Sequence, residues 1–183
     1  MKRHVPVRIE EPGVIEASVA VVLSPDGEVL LIRRAEHPDD PWSGHIALPG
    51  GRRDPGDKDR LETAIRETRE ETGLELRREQ LIGELDDLHP RTPYLPPIVI
   101  RPFVFAAPEA AATTCSVEVV ECLWTPLRDL AASAGSARVR IKEREVEVPA
   151  FRAGGRIVWG LTHRILAQLL ELSGLAGLPG GAS

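Results

Sequence analysis

Hydrophobic positions recur along this chain in two periods, and the switches between them mark out its elements. Ile15 to Leu23 is an apolar, β-favouring run, and Pro25-Asp26-Gly27 supplies a turn into a second run, Val29 to Arg33. That is a hairpin signal. A polar loop from Glu36 to Ser43 leads to a short strand, His45 to Leu48, ending on Pro49-Gly50-Gly51. Then the period lengthens. Leu61, Ala64, Ile65, Thr68 and Thr72 follow i, i+3, i+4, i+7, i+11 and predict a helix with one core-facing stripe. Asp59 and Glu62 have the spacing of a capping box, and Gly73 suits the residue after the last turn.

Beyond that helix, Leu76 to Leu85 reads as extended, His89 to Pro97 as a proline-rich loop and Ile98 to Ala106 as a strong strand. Val117 to Trp124 alternates like a further strand, and Pro126 to Ala132 suggests a short helix. Val139 to Val148 is a charged hairpin pattern. Gly160 to Leu172 is an amphipathic helix with Leu161, Ile165, Leu169 and Leu172 on one stripe, and the Gly-rich tail from Gly174 is expected to be mobile. Strands on both sides of an internal helix, closed by a second long helix, argue for an α/β layered domain.

Composition narrows the function. A length of 183 residues suits one core, so a single domain over 1–183 is expected. The 23 basic and 28 acidic residues give −5 with no basic block, so nucleic acid is not an expected partner. Lys2 and Arg3 are followed by no apolar signal core, and no segment approaches a membrane span. Cys115 and Cys122 lack metal-ligand spacing with His, so reduced structural thiols and a cytoplasmic location are expected.

The candidate chemistry lies on the first helix. Glu67, Glu70 and Glu71 fall within an arc of about 100° beside the apolar stripe, at the rim of the core. Like charges at this spacing cost a helix a few tenths of a kcal/mol each. A bound cation accounts for them, and carboxylate oxygens with no nearby His or Cys suit Mg²⁺ or Mn²⁺. A solvated face of Glu–Arg pairs is the alternative reading of the helix alone. Glu62, Arg66 and Arg69 take the other flank, where Glu62 is spaced to pair with Arg66 and is not expected to bind metal. Gly50 and Gly51 permit a tight turn and close approach of a ligand to the backbone, and the loop into the helix can offer N–H groups to phosphate.

Gly51, followed by Arg66-Glu67-Thr68-Arg69-Glu70-Glu71-Thr72-Gly73-Leu74, resembles the signature of the Nudix hydrolases, in outline G-x5-E-x7-R-E-U-x-E-E-x-G-U. Thr68 stands where a bulkier apolar residue is commoner. The spacing from Gly51 to Arg66 is one residue longer than the outline, which puts Lys58, next to Asp57, at the position of the first Glu. Leu30-Leu31-Ile32-Arg33-Arg34, Gly44 to Gly51, and Val158-Trp159-Gly160-Leu161-Thr162 are similar to segments of the coenzyme A diphosphatase branch. Ile32, Ala35 and Leu48 depart from its commonest residues, Thr, Ser and Phe.

The resemblance implies an α/β/α sandwich with a mixed sheet between helices and this helix beneath the active site. It implies Glu67, Glu70 and Glu71 as metal ligands, with Arg66 orienting a carboxylate by a bidentate pair. It also implies Glu118 as an acidic residue near the metals, against a solvated loop position. Asp57 either replaces the missing Glu or caps the loop. His45 is read as packed or exposed before catalytic, and Tyr94 either stacks on a base or packs its loop. The implied reaction is metal-dependent cleavage of a diphosphate linkage, with coenzyme A or an acyl derivative as leading substrate. Nucleoside di- or triphosphates, dinucleotides, and a nucleotide-sensing module are the alternatives. A homodimer is also implied.

Overall fold

The computed structural model describes residues 4–36, 44–91, 96–107, 112–141 and 144–176. In chain order the elements are β1 (Ile15–Leu23), β2 (Glu28–Arg34), β3 (Ile46–Ala47), β4 (Gly50–Arg52), α1 (Arg60–Thr72), β5 (Leu81–Glu84), β6 (Ile98–Ala106) and β7 (Val119–Pro126). They are followed by α2 (Leu127–Ala132), β8 (Gly135–Ile141), β9 (Arg144–Ala153), β10 (Arg156–Trp159) and α3 (Gly160–Ser173).

β1 and β6 run parallel from Ile15 opposite Ile98 to Leu23 opposite Ala106, at the centre of a mixed sheet. β2 and β4 flank β1, β5 lies beyond β6, and β3 and β7 pair with β2, all antiparallel. β1 is apolar almost throughout because both its faces are covered. Ala20 and Val22 join Leu30, Phe103, Phe105 and the α1 residues Leu61 and Ala64 on one face. Val21 joins Leu31, Val104, Phe151, Ile165, Leu166 and Leu169 on the other. There the cover is α2, α3 and a second, three-stranded sheet ordered β10-β9-β8. The structure is thus an α/β sandwich with α1 on one side of the mixed sheet and α3 on the other.

The hairpin turn forms, with the Gly27 N–H on the Ser24 carbonyl at 3.0 Å. The two strands then part: β1 pairs with β2 at Leu23 opposite Val29, while Ala17, Ser18 and Val19 pair with Arg52, Gly51 and Gly50 of β4. This splay seats the Gly-Gly strand against β1 and under α1. β4 and β10 were not anticipated, since two glycines carry no β preference and four residues carry little periodicity. Leu76 to Leu85 is only partly extended. A 3₁₀ turn occupies Arg78–Gln80, where the Gln80 side chain accepts the Arg77 N–H at 2.7 Å. The charged hairpin is longer than expected, β8 and β9 together running from Gly135 to Ala153, with its tip at 142–143 outside the described residues.

One buried carboxylate ties the N-terminal arm to this frame. Asp87, with a fully buried side chain, accepts from Arg101 Nε and Nη2 at 2.9 and 2.8 Å, from the Ile9 N–H at 3.0 Å and from Arg8 Nη1 at 3.3 Å. Burial pushes its pKa up, but Arg101, the Ile9 N–H and Arg8 together outweigh that and hold it below the usual range. Replacing Asp87 by Asn removes the buried bidentate partner of Arg101 and leaves it the exposed Glu10 at 3.5 Å. The expected loss is about 3 kcal/mol in a urea titration, and an unchanged midpoint would show that the knot adds nothing to stability.

Candidate active site

Helix α1 begins where the sequence places it. Asp59 is its N-cap, accepting the Glu62 N–H at 2.9 Å, and Glu62 reaches back to the Lys58 N–H at 2.8 Å. Gly73 ends it in the left-handed conformation, at φ 68°. Thr68 and Thr72, on the buried face, donate their hydroxyls to the Ala64 and Thr68 carbonyls at 2.7 and 2.6 Å. Those bonds make a threonine tolerable in the core at a position where apolar residues are commoner in the motif.

The three glutamates occupy three environments. The Glu71 side chain is 7% exposed, Glu67 is 18% exposed and Glu70 is 51% exposed. The rim position expected for all three therefore holds for Glu67 and Glu71, while Glu70 stands in solvent. Glu71 Oε2 accepts the Gly50 N–H at 2.9 Å, and Arg34 Nη1 lies 4.0 Å from its Oε1. Glu67 is pressed onto Gly51, where an added Cβ would lie 2.4 Å from the carboxyl carbon. At Gly50, with φ +154°, a Cβ would meet the Ser18 carbonyl at 2.3 Å. Gly50 is therefore required by the close approach of the β1 backbone, while a side chain at position 51 would displace the Glu67 carboxylate.

Arg66 folds across to the carboxylates. Its Nη1 donates to Glu67 Oε1 at 2.9 Å and to Glu70 Oε2 at 3.1 Å. Its bidentate partner is Asp57, at 2.8 and 2.9 Å from Nε and Nη2. Glu62 is not its partner, because the capping bond to Lys58 takes that carboxylate away from the helix flank. Asp57 is buried and also accepts the Thr63 hydroxyl at 2.8 Å and the Asp54 N–H at 2.9 Å. Of its two expected roles, the structure supports the loop cap.

Electrostatics separate these acids. Arg66, with help from the Asp54 N–H and Thr63, holds Asp57 well below the usual carboxylate range. Burial raises Glu67, with the charges of Glu70 and Asp57 adding to it against Arg66. Burial also dominates at Glu71, pushing it up to about 7; the Gly50 N–H opposes this, while Glu67 and Glu118 reinforce it. Glu118 is exposed, donates its backbone N–H to Ser116 Oγ at 3.3 Å, and lies close enough for its charge to act on Glu71.

Among the described residues no three His, Cys, Asp or Glu side chains form a ready-made metal cage. Arg66 stands between Glu67 and Glu70, and Glu71 faces Gly50. The donor set nonetheless suits a hard divalent ion, being all carboxylate oxygen with one acid buried beside little compensating charge. Arg34 and the Gly50 N–H were missed as partners of Glu71; the paired arginines closing β2 were the available signal. His45 packs edge-on against Trp159 with ring centroids 5.0 Å apart, and Tyr94 lies outside the described residues.

The NUDIX domain family model matches residues 14–144. This chain belongs to the Nudix family. Its relatives include an uncharacterised protein of Schizosaccharomyces pombe, 39% identical over 118 residues that cover 62% of this chain and 36% of that one. The mitochondrial coenzyme A diphosphatase of Homo sapiens is 32% identical over 133 residues, covering 70% of this chain and 56% of that protein. The chain thus spans little more than half of the human relative and about a third of the yeast one. An uncharacterised Nudix hydrolase, NudL, of Photorhabdus laumondii is 27% identical over 158 residues, covering 82% and 80%. A MutT/nudix family protein from Enterococcus faecalis shares the fold with a TM-score of 0.64 at 18% identity, over 94% of this chain and 66% of that one. Nudix hydrolases act on diphosphate linkages and generally use divalent metal ions.

Glu71 makes stability depend on pH in a stated direction. Its folded pKa of about 7 lies above the ordinary glutamate range, so the folded state binds the proton more tightly. Its contribution is present below the unfolded pKa and is lost as pH rises through the folded one. Metal-free Glu71→Gln protein should melt higher than wild type at about pH 8, by on the order of 1–3 kcal/mol, with the difference vanishing at about pH 4. Equal melting curves at both pH values would refute an uncompensated buried charge. Asp57→Asn loosens Arg66 and should lower turnover about 10–100-fold, the range of a supporting residue, measured as kcat on a diphosphate substrate.

Proposed function

We propose that this Nudix hydrolase cleaves the diphosphate of coenzyme A or of an acyl-coenzyme A, with Glu67, Glu70 and Glu71 holding Mg²⁺ or Mn²⁺. The observation that carries the reading is the meeting of two sequence segments at Glu71. Arg34, from the upstream segment similar to the coenzyme A branch, approaches Oε1, and Gly50, from its end, donates to Oε2. Similarity to the human coenzyme A diphosphatase, at 32% identity, supports the same substrate class.

The chain's own groups divide the work by charge. Arg34 brings a guanidinium beside Glu71, suited to hold a phosphate oxygen of the substrate. Gly51 lets the Glu67 carboxylate lie against the backbone and the Gly50 N–H holds Glu71, so the two glycines set the positions of both acids. Arg66, fixed by Asp57, positions Glu67 and Glu70 and prevents their mutual repulsion from splaying them. Divalent ions on these carboxylates supply charge neutralisation at the phosphate oxygens and a lowered pKa for the attacking water. Glu118, exposed near Glu71, is the proposed acceptor of that water's proton, with one of the helix glutamates as the alternative.

A product screen by mass spectrometry tests the substrate, using coenzyme A, acetyl-coenzyme A, dinucleotides, sugar nucleotides and nucleoside triphosphates with Mg²⁺ or Mn²⁺. Wild type should release 4′-phosphopantetheine and adenosine 3′,5′-bisphosphate. Glu71→Gln should lose more than about 100-fold in kcat, beyond the 10–100-fold of a supporting residue. Cleavage of another nucleotide with coenzyme A left intact would move the substrate away from this reading. Tight nucleotide binding without cleavage of any compound would make the protein a sensor.

A further inference from the structure

The chain has two cysteines, and the fold brings them together. Cys115 lies in the segment before β7, and Cys122 lies on β7, with Ile32 of β2 as its partner across the sheet. Their Sγ atoms are 2.6 Å apart. Cys115 is exposed and Cys122 half-buried, so one thiol is open to solvent while the other lies behind it. Nothing in the diphosphate chemistry uses either sulfur.

The surrounding segment gives the pair a consequence. Residues 112–118 close over the C-terminal turn of α1, where the Thr114 N–H bonds the Thr72 carbonyl at 2.8 Å and the Ser116 N–H bonds the Glu71 carbonyl at 3.0 Å. The Glu118 carbonyl then accepts the Ala35 N–H at 2.8 Å. A covalent link between positions 115 and 122 would fasten this segment, and with it the end of the glutamate helix, to β7.

We propose that Cys115 and Cys122 are a modification site, closing reversibly to an intramolecular disulfide by exchange with a small disulfide such as oxidised glutathione. The exposed Cys115 thiolate attacks one sulfur of the small disulfide, forming a mixed disulfide and expelling one thiolate. Cys122 gives up its proton and attacks the Cys115 sulfur, expelling the second thiolate. Two protein thiols are oxidised by two electrons, one small disulfide is reduced to two thiols, and the two protons lost by the cysteines end on the products. In a reducing compartment such a bond is transient, the usual condition of redox-sensing pairs.

The test incubates the full chain with oxidised glutathione, counts free thiols, and maps linked peptides by mass spectrometry. Both thiols should disappear together, with no glutathione retained and one peptide pair joined through Cys115 and Cys122. Dithiothreitol should restore both thiols. The oxidised protein should melt higher than the reduced protein, and Cys115→Ser should form no internal link and show no such rise. Thiols that stay reactive, a glutathione adduct persisting on wild-type Cys115, or links between two chains would overturn the proposal. Thiol counting and peptide mapping need no substrate, so the result is independent of the coenzyme A reading.

Discussion

The site depends on how closely the helix carboxylates approach the Gly50–Gly51 backbone. Glu67 occupies the space that a Cβ on residue 51 would fill, and Glu71 accepts the N–H of residue 50. A side chain at residue 51 would displace the Glu67 carboxylate, and one at residue 50 would strike the Ser18 and Val19 backbone of β1. The approach is possible because β1 leaves β2 after one pairing and takes β4 instead, bringing the glycines beneath α1. A departure of two strands thus sets the geometry of the acids. Once there, burial raises the pKa of both Glu67 and Glu71.

A second constraint concerns who neutralises whom. Asp57, Glu67 and Glu70 all converge on Arg66, so one guanidinium serves three acids. Its two shortest bonds to side chains of the loop go to Asp57, which is buried and held ionised by that contact. The loop therefore fixes the arginine, and the arginine fixes the glutamates. Glu71 lies outside that arrangement, with a backbone N–H and a guanidinium 4.0 Å away. Of the three helix glutamates it is the one with least compensation for its burial, which is why the proposed metal role centres on it.

The elements that carry strong periodicity were legible from the residues alone. β1 and β6 fall where the apolar runs lie, and α1 and α3 where their stripes and caps lie. The three glutamates were recognisable as one cluster, but their different exposures were not, because a helical wheel cannot show which neighbour arrives over which turn. Glu62 was assigned to Arg66 from i, i+4 spacing, whereas a local capping bond to Lys58 and a loop carboxylate at Asp57 decided the partners. Spacing along a helix ranks candidate pairs; the loop that packs on the helix selects among them. Asp57 reads from the sequence as a substitute for the missing Glu or a loop cap, but its pairing with Arg66 is not legible there, since it depends on how the loop packs on Thr63 and Arg66.

The measurement that bears most directly on the buried glutamate is calorimetric titration of Mg²⁺ into the metal-free protein, in buffers of different ionisation enthalpy at about pH 6. A proposed ligand whose pKa stands near 7 must lose its proton when the metal binds. Wild type should release up to about one proton per binding event, and Glu71→Gln should release far less. Metal binding with no proton release, or release unchanged in the variant, would contradict a metal bound by Glu71.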